Sequence, residues 1–156
     1  MMEDTSQPMF SDEYYMMQAI RLAEQALEEE EVPIGALVVC QNRIIGKGYN
    51  QVERLRDATA HAEMLAFTAA TEYLGSKHLV DCTLYVTIEP CTMCAGASRW
   101  VQVPRIVYGA SEPKTGYSIH GHGLLHPKTE VIRGVLSDEC ASLMKRFFQS
   151  KRGKLP

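Results

Sequence analysis

No apolar run in the 156 residues reaches the length needed to cross a bilayer. The opening MMEDTSQPMF has acids at its front and no apolar core, so it is not read as a secretory leader. Cysteine is scarce: there are five, an odd number, and only Cys91 and Cys94 form a short C-x-x-C pair. That excludes a disulfide scaffold and points to a reducing cytoplasm. Cys40, Cys82 and Cys140 lie in apolar or semi-apolar stretches and read as buried free thiols. Repeats, low-complexity tracts and linkers are missing as well.

Charge of one sign is also short, since the formal net charge is only −3. This excludes a uniformly basic nucleic-acid coat, although the distribution is uneven. Residues 1–31 hold nine acids and a single arginine, whereas residues 141–156 hold five bases and no acid. The C-terminal end can therefore attract a polyanion while the whole chain stays acidic. With 46% hydrophobic residues the chain can fill a core without metal or disulfides. It is read as one domain over residues 1–156, with residues 1–10 as a flexible N-terminal segment.

Periodicity gives the elements. From Asp12, DEYYMMQAIRLAEQALEEEE places Tyr15, Ala19, Leu22, Ala23, Ala26 and Leu27 on one helical stripe, with Ser11 as N-cap. IGALVVC and RIIGKGYN read as two strands joined by a tight turn at Gln41-Asn42. HAEMLAFTAATEYLG is a helix closed by Gly75, TLYVTIE a strand, CTMCAGASRWV a helix, and RIVYGA a strand. Residues 111–129 read as an irregular loop, TEVIRGV as a strand, and the segment from Ser137 as a closing helix capped by Ser137. The order α-β-β-α-β-α-β-β-α predicts one mixed sheet with helices on both faces. The strands beginning at Thr83 and Arg105 lack polar alternation and are expected to be central.

The chemistry concentrates in HAE, residues 61–63, and PCTMC, residues 90–94. His61, Cys91 and Cys94 offer one imidazole and two thiolates, a donor set that suits Zn2+ with a fourth position left for water. Two thiolates balance a dication, so such a cluster can sit in a pocket without a bare buried charge. Pro90 stiffens the approach, and a helix start favours thiolates. A redox pair and half of a structural zinc knuckle are the alternatives; the latter needs a fourth ligand, for which His78, His120, His122 and His126 are candidates. Glu63 is not needed as a ligand. Beside a metal-activated water it can take a proton and return it to a substrate nitrogen, the pattern of zinc nucleobase deaminases.

TAHAEM, VTIEPCTMCAGA and IVYGASEPKTG, with EVPIGALVV, GKGYN and LSDECASLMKRFF, resemble the bacterial tRNA-specific adenosine deaminases of the cytidine deaminase-like superfamily. The similarity runs from about Ser11 to Arg152. It implies an α/β fold, a three-layer α/β/α sandwich around a five-stranded mixed sheet. It implies a homodimer and conversion of adenosine to inosine at the wobble position of a tRNA anticodon stem-loop. DNA and membrane partners are not expected. In this resemblance His61, Cys91 and Cys94 match the zinc ligands and Glu63 the proton shuttle. Asn50 matches a residue gripping the base, Pro33, Ile34 and Ala62 match pocket walls, and Phe148 matches a residue packing beside the flipped nucleotide. Lys114, in the loop after Ser111, is positioned in sequence to reach phosphate. Two alternatives carry different functions: a deaminase of a free base or nucleoside such as guanine or cytosine, and a non-enzymatic module held by structural zinc.

Overall fold

The structure, a computed structural model, describes residues 10–121 and 123–153. The expectation of a flexible segment therefore falls, for residues 1–9, outside the described residues. Phe10 is described, and its ring stacks on Tyr14 with centroids 4.2 Å apart. Helix α1 (Asp12–Glu28) starts at the expected cap: the Ser11 hydroxyl accepts from the Tyr14 N–H at 3.1 Å. Strands β1 (Gly35–Cys40) and β2 (Arg43–Tyr49) follow. They are joined by Gln41 and Asn42, both at positive φ (51° and 63°), the two-residue turn whose twist suits a hairpin.

Next come a single-turn helix α2 (Val52–Leu55), helix α3 (Ala62–Leu74) and strand β3 (Cys82–Ile88). Helix α4 (Thr92–Trp100), strand β4 (Arg105–Ala110), a 3-10 turn (Tyr117–His120), strand β5 (Glu130–Arg133) and helix α5 (Ser137–Gly153) complete the order. The strand order is β2-β1-β3-β4-β5. Strand β1 is antiparallel to both β2 and β3, and β3-β4 and β4-β5 are parallel. This is the expected mixed five-stranded sheet, with β3 and β4 inside it.

The sheet separates two cores. On one face α1 and α5 cover Leu37, Tyr85 and Val107; on the other, α3 and α4 cover Val38, Leu84 and Ile106. Alternate residues of the same strands feed opposite cores, the period-two rule of a pleated strand. Helix α3 lies flush on β2 because Gly46 and Gly48 leave no Cβ in its way. A Cβ at Gly48 would collide with the Ala62 carbonyl, and one at Gly46 with that of Ala66.

Three features depart from the expected order. The segment after Asn50 forms α2, too short to show helical periodicity. Its N-terminal N–H groups of Glu53 and Arg54 are held by the buried carboxylate of Glu31 at 3.0 and 2.8 Å. Within residues 111–129, Tyr117–His120 is a 3-10 turn. Ser137 is the first residue of α5 rather than its cap, and the Cys140 N–H reaches the Leu136 carbonyl at 3.1 Å.

Helix α1 is fixed to the sheet by one ion pair. Arg105 of β4 grips both Asp12 oxygens, at 3.1 and 2.9 Å, and the Tyr85 hydroxyl donates to Asp12 Oδ1 at 2.6 Å. The Arg105 hydrogen bond is the main reason the Asp12 carboxyl titrates below its ordinary 3.8. Its stabilisation is thus fully present above that value and is lost as the pH falls through the lower folded-state value. Asp12→Asn is expected to cost about 1–3 kcal/mol at pH 7. In urea titrations the gap between wild type and variant should shrink below about pH 4; a gap independent of pH would refute this assignment.

Candidate metal centre

Both halves of the motif sit at helix starts. His61 is the N-cap of α3 and Cys91 the N-cap of α4, each in extended backbone, and Cys94 lies in the first turn of α4. The Leu65 N–H bonds the His61 carbonyl at 3.1 Å and the Ala95 N–H bonds the Cys91 carbonyl at 2.9 Å, so each ligand is anchored by its own helix. The two positive helix ends converge on one point, which favours thiolates there.

The Cys91 Sγ lies 3.5 Å and the Cys94 Sγ 3.6 Å from His61 Nδ1. A tetrahedral zinc with ordinary Zn–N and Zn–S bonds sets nitrogen and sulfur about 3.6 Å apart. The donor atoms are therefore already at the spacing the ion requires. All three lie within 4.8 Å of one another, and no fourth His, Cys, Asp or Glu joins the group among the described residues. His78 and His126 line a separate hollow beside Trp100, His120 is exposed on its turn, and His122 lies outside the described residues.

The electrostatics agree with a cation site. Hydrogen bonding from Cys94, with help from His61, pulls the Cys91 thiol down to about 4. Its partner Cys94 is pushed up, because Cys91 already carries the negative charge and the site is buried. The Cys91 sulfur holds His61 above its usual value against the effect of burial. Without an ion the pair of sulfurs shares a proton; a dication lets both ionise.

Glu63, two residues after His61, is 4% exposed. Burial pushes its carboxyl up to about 7, and the negative Cys91 adds to the effect. It opens onto a cavity of about 700 Å3 that is also lined by Ile34, Asn50, His61, Ala62 and Phe147. Asn50 is fixed at the end of β2, where its N–H bonds the Ile34 carbonyl at 3.0 Å. Pro33 is fully buried behind the wall and does not line the cavity.

Phe148 and Lys114 lie elsewhere. They share a shallow hollow with Lys145 and Arg152. Phe148 is 49% exposed, whereas Phe147, buried to 8%, is the aromatic ring at the cavity. Adjacent residues on a helix point about 100° apart, so one of the two had to turn away from the cavity.

Sequence reasoning passed over Glu89. Its buried carboxylate accepts from the Glu112 N–H at 3.1 Å, the Ser118 N–H at 3.0 Å and the Ser118 hydroxyl at 2.7 Å. The Tyr117 N–H bonds the Pro90 carbonyl at 2.9 Å, and Gly116 bridges Cys91. Loop 111–120 is thus strapped to the turn that carries the sulfurs. Gly116 allows this closeness, since a Cβ there would strike the Glu89 carboxylate. The signal was present: an acid in the apolar run TLYVTIEP has to find buried donors.

Residues 9–110 match the family described as cytidine and deoxycytidylate deaminase zinc-binding region. The tRNA-specific adenosine deaminase of Bacillus subtilis (strain 168) is 43% identical over 151 residues, covering 94% of each chain. A solved structure from work on A-to-I editing by tRNA:A34 deaminases at the wobble position of transfer RNA superposes with a TM-score of 0.78 and 38% identity. It covers 83% of this chain and 98% of its own. A guanine deaminase from Nitrosomonas europaea superposes with a TM-score of 0.79 at 25% identity, covering 90% of this chain and 86% of its own.

Removing one sulfur should break the centre. Cys91→Ala is expected to lower bound zinc from about one per chain by more than tenfold after dialysis, read by metal analysis. Retention of a full equivalent would show that these three residues do not hold the ion.

Proposed function

Because the chain belongs to the cytidine and deoxycytidylate deaminase zinc-binding family, we infer that it is a zinc-dependent hydrolase converting adenosine to inosine in tRNA, acting at the wobble position of an anticodon stem-loop. The observation that carries this reading is the three-donor centre with a buried carboxylate beside it. A purely structural zinc would take a fourth protein ligand. The adenosine specificity rests on the relatives, whose names give tRNA adenosine as what they act on.

His61, Cys91 and Cys94 hold the zinc. When bound, the metal lowers the pKa of water toward neutrality and so supplies a nucleophile at ordinary pH. Glu63 takes the proton that this water must lose and delivers it to N1 of the adenine as C6 is attacked. It then takes the remaining proton from the oxygen now bonded to C6 and passes it to the departing amine, which leaves as ammonia. A carboxyl held in place by burial beside the metal centre can both accept and release a proton there. The half-buried Ile34 and the buried Ala62 form an apolar wall that limits bulk water around that transfer. Asn50 offers both a donor and an acceptor to the edge of the base.

The target nucleotide must leave its stack to reach this cavity. The bases of α5, together with Lys114, favour a phosphate backbone alongside it. A homodimer is part of the reading: the hollow of Phe148 and Lys114 lies off the protomer's own cavity, and a second copy can bring such a surface to a neighbour's substrate. Five free thiols fit a cytoplasmic setting. Among the described residues no helix is long and apolar enough to cross a membrane. We take the chain as one deaminase domain, a reading supported by two cores that share one sheet.

The test uses anticodon stem-loops carrying adenosine at the wobble position, with free adenosine, guanine and cytosine as parallel substrates. Inosine in the stem-loop is expected. Turnover of a free base without it would instead favour the small-substrate deaminase. Glu63→Ala should keep zinc and lose at least about 100-fold in turnover, because general acid–base transfer supplies about that much or more. Unchanged turnover in that variant would remove Glu63 from the chemistry.

A further inference from the structure

At the opposite end of the sheet from the metal, β1 ends in Cys40 and β3 begins with Cys82. The two residues are direct partners in the antiparallel ladder. The Cys82 N–H donates to the Leu79 carbonyl at 3.2 Å, and Cys40 pairs on its other edge with Arg43 across the hairpin turn. Their facing positions are therefore of the non-hydrogen-bonded kind, in which Cα atoms approach to about 4.5 Å and side chains are closest. A disulfide spans Cα separations of about 4.4–6.8 Å. Both side chains lie on the same face and pack against the same core.

Access is asymmetric. Cys82 is 2% exposed, while Cys40 is half-buried and borders the exposed Gln41 of the turn. Burial, with the Cys40 sulfur as a hydrogen-bonding neighbour, pushes the Cys82 thiol up to about 12. Neither sulfur belongs to the metal centre. Two facing thiols with one reachable from solvent form an entry sulfur and a resolving sulfur.

We propose that Cys40 and Cys82 are a thiol–disulfide exchange site whose co-substrate is a low-molecular-weight disulfide and whose product is an intramolecular disulfide. Cys40 gives up its proton and attacks one sulfur of the small disulfide. That S–S bond breaks, and one small thiol leaves carrying the proton. Cys82 then loses its proton and attacks the Cys40 sulfur, expelling the second small thiol, which is protonated in turn. The two protein sulfurs are oxidised by two electrons in total, and the small disulfide is reduced to two thiols. The new bond closes residues 41–81 into a loop, and that loop holds Asn50, His61 and Glu63. Five residue steps along β1, about 17 Å, separate the pair from its catalytic end at Gly35. The cross-link therefore acts as a staple on the frame and leaves the zinc in place.

The test incubates native, zinc-loaded protein with oxidised glutathione, then alkylates free thiols and maps the peptides by mass. The expected product joins the Cys40 peptide to the Cys82 peptide, two hydrogens lighter than the reduced pair. Zinc should be undiminished, and the melting temperature should rise by about 5–10 °C. Cys82→Ala should stop at a glutathione adduct on Cys40, and Cys40→Ala should leave Cys82 unmodified. A wild-type protein that stops at the Cys40 adduct, joins Cys40 to another cysteine or does not react would overturn the proposal. The readout is independent of deaminase activity, so its failure and failure of the proposed function are distinguishable.

Discussion

Everything at the catalytic end depends on two helices beginning at the same point in space. His61 and Cys91 are far apart in sequence, yet each is the residue from which a helix departs, and the donor atoms meet at 3.5 Å. Two positive helix ends would repel without something negative between them. The thiolates supply that negative charge and a dication then balances them. The close seating of α3 on β2 sets the position of His61, because Gly46 and Gly48 let the helix backbone approach the strand directly. A larger residue there would lift α3 and move the imidazole away from sulfurs that are fixed to β3 through Pro90.

Much of this was legible in the residues, for physical reasons. The Ser11 cap, the Gly75 stop at φ 64° and the Gln41-Asn42 turn are local, and local chemistry is written in short windows. The metal triad was legible because donor type and helix-start spacing constrain an ion strongly. What was not legible depends on distant partners. Helix α2 exists because Glu31, more than twenty residues earlier, satisfies its first N–H groups. Loop 111–120 is ordered by Glu89 from the end of β3. The choice between Phe147 and Phe148 depends on the rotation of α5 against the sheet, and no window of sequence contains that angle.

Net charge also changes meaning once partners are known. The acidic run ending α1 suggests a surface hostile to a polyanion. In the folded chain Glu29 is engaged by Arg54 and the Tyr49 hydroxyl, and Glu31 is buried against backbone donors. Much of that negative charge is therefore spent holding the wall of the cavity. The bases of α5 have a different fate: Lys145 and Arg152 stand exposed around Phe148. An acidic chain can thus carry an RNA-facing surface, because binding responds to the local field and not to the formal sum.

The two ends of the sheet divide the cysteine chemistry by geometry. Cys91 and Cys94 share a helix turn and face an imidazole, which fixes their lone pairs on one point and favours an ion over a sulfur–sulfur bond. Cys40 and Cys82 face each other across a ladder, and among the described residues no third donor completes a metal-binding group with them, which favours the bond over an ion. Both pairs are held by β3, the central strand, one at its first residue and one just past its last. Since β3 is hydrogen-bonded on both edges, neither pair can move toward the other's chemistry without breaking the ladder. The same element type, a pair of reduced thiols, is thereby committed to two different reactions by the frame alone.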